Sequence, residues 1–282
     1  MAIRHIAVLG AGTMGHGIAH AAIAAGYDTR MFDVSDASLK KGQAAIEAII
    51  GRGVELGKVP SADAVTMRTR LTTTSKIEEA LDAVDFVIEA APERIDLKLA
   101  LLADVDRLAP HSAVVATNTS ALSITEMAGA MKQPSRVAGM HFFNPVHKMK
   151  LVEIVRALES APETLQAIEE VSKQMGKETV LVRESPGFIT TRVNASIGNE
   201  AFYMLMEGVA SARDIDKALK LGLNHPMGPF ELVDLVGLDT RLSILEYLHK
   251  SMGEKYRPCP LLTQYVKAGR LGRKVGKGVY EY

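Results

Sequence analysis

The chain has 282 residues, 47% hydrophobic and 23% charged, and its 33 Lys plus Arg balance 33 Asp plus Glu. This is room for one large or two modest globular domains, and zero net charge without a basic block argues against nucleic acid as a partner. No uninterrupted run of about 18 apolar residues exists to span a membrane, and the single Cys259 allows no intrachain disulfide and fits a reducing cytoplasm.

The first predicted strand, His5 to Leu9, lies so close to Met1 that no targeting peptide is expected ahead of it. It runs into Gly10-Ala11-Gly12-Thr13-Met14-Gly15, an Ala-rich helix stopped by Gly26, and a second strand from Thr29 to Phe32 that ends at Asp33. Strand, G-x-G-x-x-G turn, helix, strand and acid is the order of a dinucleotide-binding unit. Gly10 permits the tight turn, Gly12 lets the backbone approach a pyrophosphate, and Gly15 lets the helix pack on the strand. Thr13 and Met14 open the helix, whose N–H groups and positive dipole end face the phosphates. Asp33 can accept both hydroxyls of an adenosine ribose and would repel a 2′-phosphate, which favours NAD over NADP. His16 and His20 have the i, i+4 spacing of helical metal ligands, but no third ligand is near in sequence. They read as packing or surface residues, and no metal is expected.

Helical stretches at Ala37 to Leu56, Lys76 to Leu81, Leu97 to Leu108 and Glu163 to Met175 then alternate with strand-like runs. The strands are predicted at Arg70 to Thr73, Phe86 to Glu89, Ala113 to Thr117, Val137 to His141, Lys150 to Val155 and Thr179 to Val182. Alternation of this kind predicts an α/β fold with a Rossmann-type doubly wound sheet. The link from His141 to Lys150 is too short for a crossover helix, so the last strands are expected as antiparallel additions at one edge. At Ser185-Pro186-Gly187 the character changes to helices alone: Phe188 to Gly208, Ala212 to Leu221, Phe230 to Leu235, Thr240 to Ser251 and Leu261 to Ala268. The expected domains are 1–184 for the dinucleotide and 185–282 for substrate and dimerisation. The helix after Gly187 is apolar on more than one face (Ile189, Val193, Ile197, Ala201, Met204, Leu205), which suggests a homodimer.

Ligands of such sheets lie outside the carboxyl ends of the parallel strands. Those ends deliver Glu93 with Lys98 downstream, then Ser120 in Asn118-Thr119-Ser120, then His141 and Asn144 in His141-Phe142-Phe143-Asn144-Pro145. Alcohol oxidation with NAD needs a base for the hydroxyl proton, and a neutral histidine suits that task. Glu153, on the next strand, is placed to orient the second nitrogen of His141. Ser120 and Asn144 are short polar groups able to bond the reacting oxygen.

These motifs make the chain recognisable. GAGTMG at 10–15, NTSALSI at 118–124, HFFNPVHKMKLVEIV at 141–155, SPGFI at 185–189, GLNHPMGPFELVDLVGLD at 222–239 and GRKVGKGVYEY at 272–282 resemble the L-3-hydroxyacyl-CoA dehydrogenases, over essentially the whole length. The likeness is greatest to short-chain bacterial members. It implies an NAD-dependent, cytoplasmic, dimeric oxidoreductase of fatty-acid metabolism acting on a (3S)-3-hydroxyacyl-CoA such as 3-hydroxybutyryl-CoA, in either direction. It implies His141 as base with Glu153, and Ser120 and Asn144 at the substrate oxygen and beside the nicotinamide. Asp33, Glu93, Lys98 and Lys274 are implied as further cofactor contacts. One departure stands out. The family's substrate-binding Asn is replaced by Thr191, with Asn194 one helical turn on as the other candidate donor. The family's coenzyme A contacts have no clear match, although Arg52 and Lys58 are nearby cations. The same site could serve hydroxyadipyl-CoA or a sugar acid such as L-gulonate, and the fold also occurs in crystallin-like structural proteins. The complete set of Ser120, His141, Asn144 and Glu153 argues against the last.

Overall fold

The computed structural model describes residues 3–282. They form two compact units that divide between Glu184 and Ser185.

The first unit runs β1 (His5–Leu9), α1 (Thr13–Ala24), β2 (Asp28–Phe32), α2 (Asp36–Glu55), α3 (Ser61–Thr69), β3 (Leu71–Thr74), α4 (Ile77–Leu81), β4 (Phe86–Glu89), α5 (Ile95–Leu108), β5 (Val114–Thr117), α6 (Ile124–Ala128), β6 (Val137–Phe142), β7 (Leu151–Arg156), α7 (Pro162–Gln174) and β8 (Glu178–Arg183). One sheet holds all eight strands in the order β3-β2-β1-β4-β5-β6-β7-β8. The first six strands are parallel, and the order reverses between β1 and β4, where a doubly wound sheet opens its ligand crevice. β7 pairs antiparallel with β6, as the short link between them requires. β8 pairs parallel with β7 after crossing over through α7, so the last two strands share one direction. β1 and β4 are fully buried apart from His5, as strands covered on both faces must be. α2 buries Leu39, Ile46 and Ile50 along one stripe and is capped by Ser35, whose hydroxyl accepts from Ser38 N.

The second unit is helical: α8 (Thr190–Met206), α9 (Ala212–Gly222), α10 (Pro229–Val236), α11 (Leu238–Met252) and α12 (Pro260–Lys267). Its core joins Phe202, Phe230, Leu238, Leu245, Leu248 and Leu262, with Phe202 edge-on to Phe230.

Several boundaries differ from the sequence reading. α3 and α6 are helices the periodicity does not reveal; α3 buries only Ala64 and Met67, too few positions to set a period. β3 lies one residue later than expected. α8 begins at Thr190 rather than Phe188, because Gly187 (φ 72°) and Phe188 (φ 51°) adopt the left-handed conformation and turn the chain before the helix can start. Among the described residues no helix is long and apolar enough to cross a membrane.

α1 also carries a buried titratable group. The ring of His20 lies 6.3 Å from that of His147, and its Nδ1 is buried without a hydrogen-bond partner among the described residues. Burial, aided by His147, Lys177 and His16, pushes His20 down from 6.5 to about 4. Above 6.5 the imidazole is neutral in folded and unfolded chains alike. Between 6.5 and about 4 only the unfolded chain takes up the proton, so the folded state loses stability as pH falls, at a limiting slope of about 1.4 kcal/mol per pH unit. The Tm of the wild type is expected to fall more steeply across this window than that of His20→Gln, which never ionises. Parallel Tm–pH curves for the two proteins would remove His20 from the acid response.

Candidate functional site

Three glycines shape the first loop for three different reasons. Gly10 has φ 115°, and a Cβ there would stand 2.6 Å from the Ala90 carbonyl oxygen. A Cβ on Gly15 would stand 1.7 Å from the Gly10 oxygen, so α1 can approach the end of β1 only without a side chain. A Cβ on Gly12 would meet no atom within 4 Å; that space lies open over the helix start. α1 has no side-chain cap and no acid in its first turn, whereas α2 and α9 are closed by Ser35 and Ser211. An uncapped N-terminus with open space above a glycine suits an anion. Thr13, exposed, and Met14, half-buried, begin the helix. Asp33 accepts from Ala11 N (2.9 Å) and Ser35 N (3.0 Å), so the acid that ends β2 also fixes the glycine loop. Neighbouring Arg30 is turned away, its guanidinium donating to the Glu79 (3.1 Å) and Asp82 carbonyls.

The next strand ends are joined by side chains. Glu89, the last residue of β4, is wholly buried. Its carboxylate accepts from Lys98 Nζ (2.7 and 2.9 Å), Ala91 N (2.7 Å) and Thr117 Oγ1 (2.6 Å). Lys98 is only 1% exposed, and its third proton goes to the Ala91 carbonyl (3.1 Å). Glu93 accepts from Thr119 Oγ1 (2.6 Å), Ser120 N (2.8 Å) and Ala121 N (3.3 Å), closing the loop that carries Ser120. Asn118 Oδ1 accepts from Phe142 N (2.9 Å), which ties that loop to β6.

His141 and Glu153 face each other directly across the antiparallel β6–β7 ladder. His141 Nδ1 donates to Glu153 Oε2 at 2.7 Å, and both side chains are buried. The Phe143 ring lies 4.6 Å from the His141 ring. Asn144 is exposed in the turn that follows. That turn is held from two sides. Val146 packs on Gly17 of α1, where a Cβ would come within 2.9 Å, and Lys177 donates to the carbonyls of Val146 and Met149 (2.9 Å).

Of the residues singled out by sequence, the first unit thus brings the glycine loop and Asp33 into one contact, Glu93 and Ser120 into another, and His141 and Glu153 into a third. Lys98 lies behind Glu89 with its protons already used. Asn144 lies exposed in the turn after β6, outside these three contacts. Thr191, Asn194 and Lys274 belong to the second unit. Thr191 and Asn194 are half-buried in the first two turns of α8, where the neighbouring Arg192 donates to Tyr256 Oη (2.7 Å). Lys274 is paired with Asp239 at 2.6 and 2.7 Å. His147 joins His16 and His20 in space, yet no group of three His, Cys, Asp or Glu side chains among the described residues could hold a metal. Sequence reasoning missed Glu89 and the linking role of Asn118. The visible signal for Glu89 was a lone acid closing an otherwise apolar strand, Phe86-Val87-Ile88-Glu89.

Residues 5–185 match the family described as 3-hydroxyacyl-CoA dehydrogenase, NAD binding domain, and residues 187–282 match 3-hydroxyacyl-CoA dehydrogenase, C-terminal domain. A probable 3-hydroxybutyryl-CoA dehydrogenase of Bacillus subtilis is 46% identical, with 100% of this chain and 98% of that protein covered. A 3-hydroxybutyryl-CoA dehydrogenase of Bradyrhizobium diazoefficiens is 42% identical, covering 99% of this chain and 96% of its own length. The crystal structure of (S)-3-hydroxybutyryl-CoA dehydrogenase from Ralstonia eutropha matches with a TM-score of 0.96 at 43% identity, over 100% of this chain and 99% of that one.

The glycine geometry separates folding from cofactor binding. Gly12→Ala is expected to keep the wild-type Tm, because its methyl meets no protein atom, and to weaken NAD binding by at least about tenfold, roughly 1.4 kcal/mol. Gly15→Ala should instead lower Tm, since overpacking costs about 1–3 kcal/mol. Calorimetric Tm and NAD titration on both variants check this, and unaltered NAD affinity in Gly12→Ala would count against the phosphate lying there.

Proposed function

The chain belongs to the NAD-dependent 3-hydroxyacyl-CoA dehydrogenase family, and we propose that within it this protein interconverts (3S)-3-hydroxybutyryl-CoA and acetoacetyl-CoA. The observation that carries the chemical reading is the buried His141–Glu153 pair at a strand end of a dinucleotide-binding sheet. The names of the relatives support the short acyl chain.

Bound NAD supplies the hydride acceptor. His141 would take the proton from the hydroxyl oxygen at Nε2 as the carbon that bears it is oxidised to the ketone. Glu153 keeps the Nδ1 proton on the ring, which fixes the basic tautomer, and its charge stabilises the imidazolium that forms. In the reverse direction His141 returns that proton to the oxygen. Ser120 and Asn144 hydrogen-bond this oxygen. Thr191, or Asn194 one turn on, is the substrate donor that the family resemblance implies. Asp33 would receive the adenosine ribose hydroxyls, and Arg30, its guanidinium donating to backbone carbonyls, is not paired with it. Gly10, Gly12, Gly15, Thr13 and Met14 would form the loop and helix start that hold the pyrophosphate.

Purified protein should oxidise NADH with acetoacetyl-CoA at a higher kcat/KM than with longer 3-ketoacyl-CoA substrates, and should leave L-gulonate plus NAD untouched. His141→Ala is expected to lose about 10²- to 10⁴-fold in kcat with NADH affinity unchanged. A variant with near-wild-type kcat would end the assignment of His141 as base, and a preference for longer or dicarboxylic chains would end the short-chain assignment.

We further place the enzyme in the cytoplasm, in keeping with its single free and buried cysteine, and read it as a homodimer built through the helical unit. Ile189, the residue before α8, and Val193 on its first turn are 50% and 53% exposed, apolar surface that a second copy would cover. Light scattering at micromolar concentration should report about twice the chain mass of 30.4 kDa, twofold dimers being the commonest homo-oligomers. A monomer at that concentration would leave this face without its proposed cover.

A further inference from the structure

We propose that Glu93 sets the redox preference of the cofactor site, its charge holding NAD⁺ more tightly than NADH. The inference rests on the cofactor reading above, and its starting point is how one ammonium is shared between two carboxylates. Lys98 has three protons, and three acceptors already take them at hydrogen-bond distance: both oxygens of Glu89 and the Ala91 carbonyl. Glu93 stands farther off, at 3.5 Å from Lys98 Nζ. The ammonium is nearer Glu89 and also pairs with Glu93, so the cluster of two carboxylates and one ammonium keeps one net negative charge, and Glu93 is its exposed carboxylate.

The donors that hold Glu93 do nothing to cancel that charge. They are a hydroxyl, Thr119 Oγ1, and two backbone amides, of Ser120 and Ala121. A glutamine oxygen at the same place could accept all three, so closing the Ser120 loop requires an acceptor but not an anion. Unlike the buried Glu89, the Glu93 side chain is 43% exposed.

Position makes the charge selective. Asp33 at the end of β2 marks the adenosine side of a doubly wound sheet, so the nicotinamide half belongs over the ends of β4, β5 and β6, where Glu93, Ser120 and His141 stand. The nicotinamide ring carries one positive charge when oxidised and none when reduced. The adenosine, riboses and pyrophosphate are the same in both. A fixed negative charge on the nicotinamide side thus favours NAD⁺, and the Glu153–His141 pair, unaltered between the proteins compared, drops out of the difference. Favouring NAD⁺ makes bound NADH the stronger hydride donor. It tilts the enzyme-bound equilibrium toward reduction, in which hydride passes from NADH to the ketone carbon and His141 gives the oxygen its proton.

The test measures dissociation constants for NAD⁺ and NADH, by titration calorimetry and NADH fluorescence, without turnover. In Glu93→Gln the ratio Kd(NAD⁺)/Kd(NADH) should rise on the order of tenfold, the effect of removing one nearby charge. In Thr119→Val, which deletes a neutral hydrogen bond to the same carboxylate and keeps the charge, both constants should move by the same factor and the ratio should stay. An unchanged ratio in Glu93→Gln overturns the inference. If Glu93→Gln fails to fold, the wild type still decides. Its ratio should rise several-fold between about 0.01 and 1 M salt as the charge is screened, and a ratio indifferent to salt overturns the inference equally. A wild type that binds neither form would overturn the cofactor reading instead.

Discussion

The reversal of strand direction between β6 and β7 is the constraint on which the ligand edge depends. Six parallel strands carry their loops to one edge of the sheet, and the seventh returns from that edge. The return sets Glu153 directly opposite His141, and residues opposed in an antiparallel pair point to the same face. A slip of one residue would send Glu153 to the other face and leave His141 without its partner. Neither residue tolerates this arrangement alone, because a buried carboxylate without a partner costs several kcal/mol. The pair is therefore both the chemical feature of the site and part of what fixes the register that creates it.

The strand ends on either side are coupled where the ladder stops. Backbone pairing of β4 with β5 ends at Glu89 opposite Thr117, and side chains then continue it: Thr117 donates to Glu89, and Thr119 and the Ser120 amide bond to Glu93. Pairing of β5 with β6 ends at Thr117 opposite Gly139, and Asn118 carries it on by accepting from Phe142 N. Loops held this way inherit the rigidity of the sheet, which a site needs if its donors are to stand ready before the substrate arrives. Lys98 buried beside Glu89 belongs to the same scheme. Removing either partner would leave an uncompensated charge in the core, typically a loss of about 3–5 kcal/mol.

How much of this could be read from the sequence varies with the range of the interaction involved. The glycine loop, α1 and Asp33 are legible because their logic is local: a turn, a helix start and an acid within one βαβ unit. The His141–Glu153 pair is legible because the link between their strands is too short for anything but a reversal. Lys98 is harder. From sequence it is a cation near the ligand edge, and only the fold reveals that Glu89 and the Ala91 carbonyl accept its hydrogen bonds. α3 and α6 stay hidden because they are short and bury few residues. The start of α8 shifts because two consecutive left-handed residues, one of them Phe188, override a helical pattern that reads continuously through them.

The second unit shows why a family signature need not mark a reacting group. The runs from 222 to 239 and from 272 to 282 lie within the stretch that matches the family's C-terminal domain, and much of what they build is structural. Asp216 on α9 accepts from Phe230 N and Glu231 N, and so caps the start of α10 from a different helix. Tyr280 Oη donates to the same carboxylate. Burial pushes Asp216 up, opposed by these bonds, and pushes the Tyr280 hydroxyl up as well, so the phenol keeps its proton and remains a donor. Asp234 on α10 repeats the device, accepting from Val279 N, Tyr280 N and Tyr282 Oη. Gly228 and Gly278 are where they are because a Cβ would fall within 2.3 Å of Asp216 or 2.0 Å of Asp234. No cation within bonding distance balances either carboxylate among the described residues, so amide and phenol donors must satisfy them. Those donors come largely from the segment 279–282. Residues 279–282 thus serve two buried carboxylates, on α9 and α10, as hydrogen-bond donors.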